Sequence, residues 1–171
     1  MPSKPVPDRV RWLVELLAPS PDARVLEVGG GPGVAAQLVC ERLGGGRMTL
    51  LDRSATALRQ SGHRNAKHIM TGRLELVESS LADFEPEPGA YDLAFSINVN
   101  VFWAASAERE LAVLRDALAP GGRLAVAYGT AMPGRDEAAV LDAVAERMER
   151  AGFSAIHPVR SGAGSAVLAE R

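Results

Sequence analysis

The segment RVLEVGGGPGVAA, residues 24–36, decides the fold of this chain. Its first part, Val25 to Val28, is short and apolar apart from Glu27, which is typical of a buried parallel strand. Four of the next five residues are glycine, and a run with helical character follows from Val34 to Leu43. Glycines between a strand and a helix let a ligand approach the main chain and leave N–H groups open at the start of the helix. The segment therefore predicts a nucleotide-binding site, with a tight turn that binds nothing as the alternative.

The spacing of the glycines distinguishes two kinds of nucleotide site. A dinucleotide site has the pattern G-x-G-x-x-G, with the third glycine inside the helix. Here Gly29 and Gly31 fit that pattern, but the third position is Val34. The glycine falls at Gly33 instead, which gives an acidic-x-G-x-G-x-G pattern beginning at Glu27. This pattern resembles motif I of the class I S-adenosylmethionine (SAM) methyltransferases. The resemblance implies a ligand without pyrophosphate, whose aminoacyl end Glu27 and the open N–H groups would serve.

The composition is that of an ordinary soluble globular protein. Hydrophobic residues make up 47% of the 171 residues and charged residues 23%, with a formal net charge of −2. The basic residues are scattered, so we expect no nucleic-acid partner. Cys40 is the single cysteine, which excludes an internal disulfide and favours a reducing compartment. Neither a signal peptide at residues 1–8 nor a membrane-spanning segment is expected, so we predict a cytoplasmic protein.

We expect one domain, in which residues 1–22 form an N-terminal extension and helix and residues 24–171 form the core. Asp8 is expected to cap the first helix. The remaining chain predicts alternating helices and strands. Predicted helices span residues 9–17, 34–43, 55–67, 105–118 and 136–151. Predicted strands span residues 25–28, 47–52, 74–78, 91–98, 123–128, 153–160 and 165–169. Loops are expected at residues 98–103 and 129–135.

Asp52 ends the second predicted strand, about 20 residues beyond the glycines. In nucleotide-binding α/β folds an acid at this place accepts hydrogen bonds from the ribose hydroxyls. The alternative is an aspartate that caps a helix or lies in solvent. The ribose role fits SAM and NAD equally, so Asp52 does not choose between them.

Three further segments resemble the methyltransferase family. These are the strand that begins Tyr91-Asp92-Leu93, the turn Leu118-Ala119-Pro120-Gly121-Gly122, and the hairpin at the end of the chain. Together with the glycine motif they imply an α/β fold with a doubly wound, seven-stranded, mostly parallel sheet. The implied strand order is 3-2-1-4-5-7-6, with strand 7 antiparallel and helices on both faces. A dinucleotide-binding sheet would continue with a parallel sixth strand.

The resemblance also implies where the adenine and the methyl group would lie. In the family, an aspartate after the third strand bonds the adenine amino group and the next residue offers a backbone N–H. By spacing these positions are Ser80 and Leu81, although Glu78 or Asp83 could substitute. The loop at residues 98–103 is expected to contact the methionine arm and the acceptor. The alternative is that its Phe102 and Trp103 pack beneath the next helix.

The implied cofactor is SAM, with S-adenosylhomocysteine (SAH) as product. The implied cofactor-binding residues are Glu27, Gly29, Gly30, Gly31, Gly33, Asp52, Arg53, Ser79, Ser80, Leu81, Ser96, Asn98 and Val99. The expected function is transfer of a methyl group to an O, N or C atom, most simply of a small organic acceptor. The open mouth of the expected crevice leaves a homodimer as one way to close it.

No catalytic residue is assigned from the sequence. His63 and His68 are expected at the surface, and His157 has no recognisable partner. Metal-ligand spacing is absent. Two other functions remain open. An NAD(P)-binding oxidoreductase is disfavoured by Val34 and by the Pro120-Gly121-Gly122 turn. A methyltransferase-like protein that binds SAM without catalysis is suggested only by Ser80.

Overall fold

A computed structural model describes residues 5–129 and 136–171. Residues 1–4 of the expected N-terminal extension and residues 130–135 of the expected loop lie outside this range. The strands form one sheet in the order β3-β2-β1-β4-β5-β7-β6. Strands β1 to β5 pair in parallel, whereas β7 is antiparallel to both β5 and β6. The predicted fold class and strand order are confirmed.

The strands are β1 Arg24–Val28, β2 Arg47–Asp52, β3 Leu74–Glu78, β4 Tyr91–Ile97, β5 Leu118–Gly129, β6 Ser154–Arg160 and β7 Gly164–Glu170. The helices are α1 Asp8–Leu17, α2 Val34–Arg42, α3 Ala55–Arg64, α4 Ala66–Met70, α5 Val101–Ala104, α6 Glu108–Ala117 and α7 Glu137–Arg150, and a 3-10 turn spans Leu81–Asp83. None of the helices within the described ranges is long and apolar enough to cross a membrane.

Each face of the sheet carries its own apolar core, because successive strand residues point to opposite faces. Val25 of β1 packs with α1 and α2, whereas its neighbour Leu26 packs with α6 and α7. The same alternation places Phe95 of β4 in the first core and Ala94 in the second. Both faces are therefore covered, as the apolar central strands require.

The register of the parallel strands gathers their carboxyl ends at one edge. Val28 of β1 lies opposite Leu51 of β2 and Ser96 of β4. Gly29, the first residue after β1, and Asp52, the last residue of β2, therefore lie together at this edge. The strand order reverses between β1 and β4, which is where ligands bind in open α/β sheets.

The structure corrects several expected boundaries. Asp8 is the first residue of α1 and caps nothing; Pro7 precedes the helix, and no side chain caps it. The expected helix at residues 55–67 is interrupted at Asn65, whose buried Nδ2 donates to the carbonyl of Gly33 at 3.0 Å. This bond holds Asn65 between α3 and α4, so the break is set by a contact with the glycine loop.

Two further elements differ from expectation. The loop expected at residues 98–103 contains the short helix α5, and its Phe102 is buried beneath the neighbouring helices, as the alternative interpretation had it. Strand β5 begins at Leu118, because a bulge carries the Pro120-Gly121-Gly122 turn within the strand.

Candidate functional site

A cavity of about 440 Å³ opens at the carboxyl ends of β1 to β4. Its walls contain many of the residues expected from the sequence: Gly29, Asp52, Arg53, Ser79, Ser80, Leu81, Asn98 and Val99. Asn100 and Val101 of the loop expected to contact the methionine arm also line it, and the wall residues that were not expected are Val28, Leu51, Ala82 and Glu110. The remaining expected residues do not line it: Glu27, Gly30, Gly31, Gly33 and Ser96.

Asp52 is fixed in this cavity by two backbone donors. Its Oδ2 accepts a hydrogen bond from the Gly31 N–H at 2.9 Å, and its Oδ1 accepts one from the Ser54 N–H at 2.8 Å. A carboxylate offers about four acceptor positions. Two of these positions therefore remain for a ligand, in an orientation that the main chain sets.

The glycine loop uses its own N–H groups inside the protein. Gly29 donates to the carbonyl of Leu51 at 2.7 Å, and Gly33 donates to that of Gly30 at 3.0 Å. With the Gly31 bond to Asp52, these contacts hold the loop against the end of β2. The expectation that N–H groups stay open at the start of α2 remains a prediction.

The glycines are nevertheless required by the backbone. Gly29, Gly31 and Gly33 have φ values of +67°, +54° and +73°, in the left-handed region that favours glycine. A Cβ on Gly29 would lie 2.6 Å from Val99 Cγ2, across the cavity wall. A Cβ on Gly33 would press on Asn65 and Ser61, whereas a Cβ on Gly31 would meet no atom within 4 Å. Gly31 thus borders open space.

Glu27 lies beneath the loop and not in the cavity wall. It is 3% exposed, and its Oε2 has no hydrogen-bond partner among the described residues. Burial and, to a smaller extent, the nearby Asp52 charge raise the pKa of Glu27 to about 8, although a hydrogen bond from the Ala36 N–H partly opposes them. The Glu27 carboxyl is therefore largely neutral at pH 7 beneath the glycine loop, and its contact with the ligand stays a prediction. Strand alternation, which turns Val28 towards the cavity, turns Glu27 away from it.

The ends of β4 and β5 are tied together on the other side of the cavity. Asn98, with a φ of +59°, accepts a hydrogen bond from the Gly129 N–H through its Oδ1 at 2.9 Å. The Tyr128 hydroxyl donates to the carbonyl of Val99 at 3.2 Å. These bonds fix the backbone that leaves β4. Ser96, in contrast, is buried within the strand with its hydroxyl unpaired among the described residues.

In the turn after β3, the hydroxyl of Ser80 lies in the cavity wall and is bonded to Asp83. Ser80 Oγ donates to Asp83 Oδ2 at 2.7 Å and accepts from the Asp83 N–H at 3.2 Å. Asp83 in turn forms an ion pair with Arg109 of α6 at 3.3 Å. Neither Glu78 nor Asp83 lines the cavity. The carboxylates in its wall are those of Asp52 and Glu110.

No histidine lines the cavity. His63 and His157 are exposed, but His68 is 4% exposed, which contradicts the surface position expected for it. The break at Asn65 turns α4 so that His68 faces inward, and burial lowers its pKa, as do the charges of Lys67 and Arg73. Within residues 5–129 and 136–171, no three His, Cys, Asp or Glu side chains form a metal-binding group.

Residues 25–122 match the family model described as a methyltransferase domain. A trans-aconitate 2-methyltransferase of Paracidovorax citrulli is 35% identical over 123 residues, which cover 70% of this chain and 45% of that protein. The chain thus spans a little under half the length of the curated relatives it matches. A solved SAM-dependent methyltransferase from Aquifex aeolicus superposes with a TM-score of 0.78 at 17% identity, covering 94% of this chain and 88% of that one. Haemonchus contortus phosphoethanolamine N-methyltransferase 2, solved in complex with SAM, gives a TM-score of 0.73 at 19% identity, covering 89% and 38%. The resemblance seen in the sequence is confirmed: this chain belongs to the methyltransferase domain family.

Proposed function

We propose that the chain binds SAM in the cavity at the carboxyl ends of β1 to β4 and transfers its methyl group to a small organic acid. The observation that carries the proposal is the Asp52 carboxylate, which two backbone N–H groups hold at the end of β2 with acceptor positions to spare. Paired ribose hydroxyls are the donors that such a carboxylate suits.

The residues around the cavity fit a SAM molecule. Asp52 would hold the ribose hydroxyls, and apolar Leu51 and Leu81 would contact the adenine. Gly29 and the segment from Asn98 to Val101 would hold the methionine arm. The Gly31 N–H, bonded to Asp52, would place the glycine loop beside the ribose.

When bound, SAM supplies a methyl group that its sulfonium already activates for direct displacement. The chain itself then has to bind the cofactor, orient the acceptor and keep water away. The hydrogen bonds that tie Asn98 to Gly129 and Val99 to Tyr128 would give the acceptor side a fixed wall. An oxidoreductase is not supported, because residues 25–122 match a methyltransferase domain.

Two observations support an acid as the acceptor. The relatives in the sequence comparison include trans-aconitate 2-methyltransferases, one of them in Paracidovorax citrulli. In this chain Arg9 of α1 packs against Gly129 at the end of β5. A Cβ added to Gly129 would lie 3.0 Å from Arg9 Cδ. Arg9 does not line the cavity, but its positive charge near the end of β5 would favour an anionic acceptor over a neutral one.

A carboxylate acceptor also agrees with the absence of histidine from the cavity wall. The pKa of a free carboxyl group is about 4, so the nucleophilic oxygen is already deprotonated at pH 7. An alcohol or phenol would instead need a general base. Attack of a carboxylate oxygen on the methyl carbon would break the bond between that carbon and sulfur and give a methyl ester and SAH, so the chain would not have to supply a general base.

The test is methyl transfer from tritiated SAM to trans-aconitate and to a panel of small di- and tricarboxylic acids. We expect radioactive methyl ester with at least one acid, and none with the corresponding amides. Loss of transfer in Asp52→Ala would link the activity to the cavity. If SAM binds but no acid is methylated, the catalytic proposal is contradicted and the non-catalytic alternative replaces it. If SAM does not bind, the whole proposal fails.

A further inference from the structure

We propose that Glu110 accepts the hydrogen bond of the adenine amino group and so replaces the carboxylate that the turn after β3 lacks. The inference rests on the proposed function, since it assigns a residue to the cofactor expected in the same cavity. Nothing in the sequence pattern pointed to Glu110, which lies on a helix well beyond the β3 turn.

The position of α6 places Glu110 at the adenine end of the cavity. Its neighbour Arg109 forms an ion pair with Asp83, which fixes the start of α6 against the 3-10 turn at residues 81–83. Leu81 and Ala82 of that turn line the cavity together with Glu110. A base held over the β3 turn would therefore lie next to this carboxylate.

The hydroxyls of the turn form hydrogen bonds within the turn, and each is a weaker acceptor than a carboxylate. Ser80 Oγ is bonded to the carboxylate and the N–H of Asp83, and Ser79 Oγ donates to the carbonyl of Ser80 at 2.9 Å. Asp83 is occupied by Ser80 and Arg109 and lies outside the cavity wall. The turn thus has its polar side chains bonded to one another.

Glu110, in contrast to the side chains of the turn, has a carboxylate without a bonding partner among the described residues. It is half-buried in the cavity wall, and its carboxylate forms no hydrogen bond or ion pair with any residue that the structure describes. The other carboxylate in the wall, Asp52, already accepts two backbone bonds at the ribose position. An exocyclic amino group is a neutral donor, and a carboxylate is a strong acceptor for it.

The test is calorimetric binding of SAH and of its 6-deamino analogue, in which hydrogen replaces the amino group of the adenine. We expect wild-type protein to bind SAH about tenfold to hundredfold more tightly than the analogue, the range for a hydrogen bond to a charged group. Glu110→Ala should lose this preference by weakening SAH and leaving the analogue within about twofold. Glu110→Gln, which keeps an acceptor oxygen, should retain part of it.

Glu108→Ala is the matched control. Glu108 lies in the same first turn of α6, so its loss changes the charge at the helix start equally, but it does not line the cavity. This variant should keep the full preference for SAH. SAM is the third ligand: Glu110→Ala should weaken SAM and SAH by the same factor if the contact is to the adenine.

Several outcomes would overturn the inference. Equal weakening of SAH and the analogue would make Glu110 a structural residue, and unchanged preference in Glu110→Ala would remove it from the adenine. A greater loss for SAM than for SAH would assign it to the sulfonium. Each of these results requires SAH binding by the wild type, whereas failure of the proposed function would appear as no binding of SAH at all.

Discussion

The Asp52 carboxylate accepts a hydrogen bond from the Gly31 N–H at 2.9 Å, so the end of β2 holds the loop that leaves β1. The second oxygen of the carboxylate accepts from the Ser54 N–H and thereby orients the start of α3. One side chain thus fixes the two backbone segments that border the cavity. Because the side chain is already held in one orientation, binding a ligand at its remaining acceptor positions costs no further side-chain conformational entropy.

Replacement of Asp52 should weaken binding of SAH. We expect Asp52→Ala to cost about 1–3 kcal/mol, because charge-assisted bonds to the ribose hydroxyls are lost. Calorimetric titration with SAH measures the change directly. Glu78→Ala is the control, since Glu78 pairs with Asp52 in the strand register but is exposed and lies outside the cavity wall. Wild-type affinity in Asp52→Ala would contradict the assignment.

Replacement of Gly31 by valine should abolish SAH binding, although the new side chain would meet no other atom of the protein within 4 Å of its Cβ. A side chain at Gly31 points into open space, so Gly31→Val would oppose only the ligand and the positive φ of the backbone. Gly72→Val is a matched control, because Gly72 also has a positive φ and open space around its Cβ position. Both variants should lose similar thermal stability, and only Gly31→Val should lose SAH binding. If Gly31→Val bound SAH with wild-type affinity, the glycine loop would not contact the ligand.

Gly33 should behave differently, as a packing residue. A Cβ there would lie 2.5 Å from Asn65 Nδ2, the group that bonds the Gly33 carbonyl. We expect Gly33→Ala to destabilise the fold by about 2 kcal/mol or more, from overpacking added to backbone strain. Urea unfolding measures this. Gly121→Ala, with a positive φ but open space, should cost less. Equal costs for the two variants would show that α3 does not press on the loop.

The buried Glu27 should make stability depend on pH. Its pKa is raised from 4.5 to about 8, so between these values the folded chain holds a proton that the unfolded chain releases. The stabilising contribution is complete below the unfolded pKa and is lost as pH rises through the folded pKa. Relative to Glu27→Gln, the wild type should therefore lose unfolding free energy between about pH 5 and about pH 9. Urea unfolding across that range tests this, with the exposed Glu75→Gln as control. Parallel pH profiles for wild type and Glu27→Gln would contradict it.

The sequence predicted the sheet and one side of the site because those features are local or recur in the family. Asp52 follows a strand whose carboxyl end must border the crevice, so its position needed only the strand pattern. Glu110 was missed because its place in the wall depends on how α6 packs against the β3 turn through Arg109 and Asp83. His68 was misplaced because the contact between Asn65 and Gly33 that turns α4 joins distant parts of the chain. The ligand contact predicted for Glu27 stays a prediction, because its carboxyl is buried beneath the glycine loop and does not line the cavity.

If the cavity at the ends of β1 to β4 is a SAM site centred on Asp52, calorimetric titration of the wild-type chain with SAM and, separately, with NAD and NADP will show it. We expect saturable binding of one SAM per chain, weakened in Asp52→Ala, and no heat with either dinucleotide. Binding of a dinucleotide, or SAM binding that is unchanged in Asp52→Ala, would contradict it.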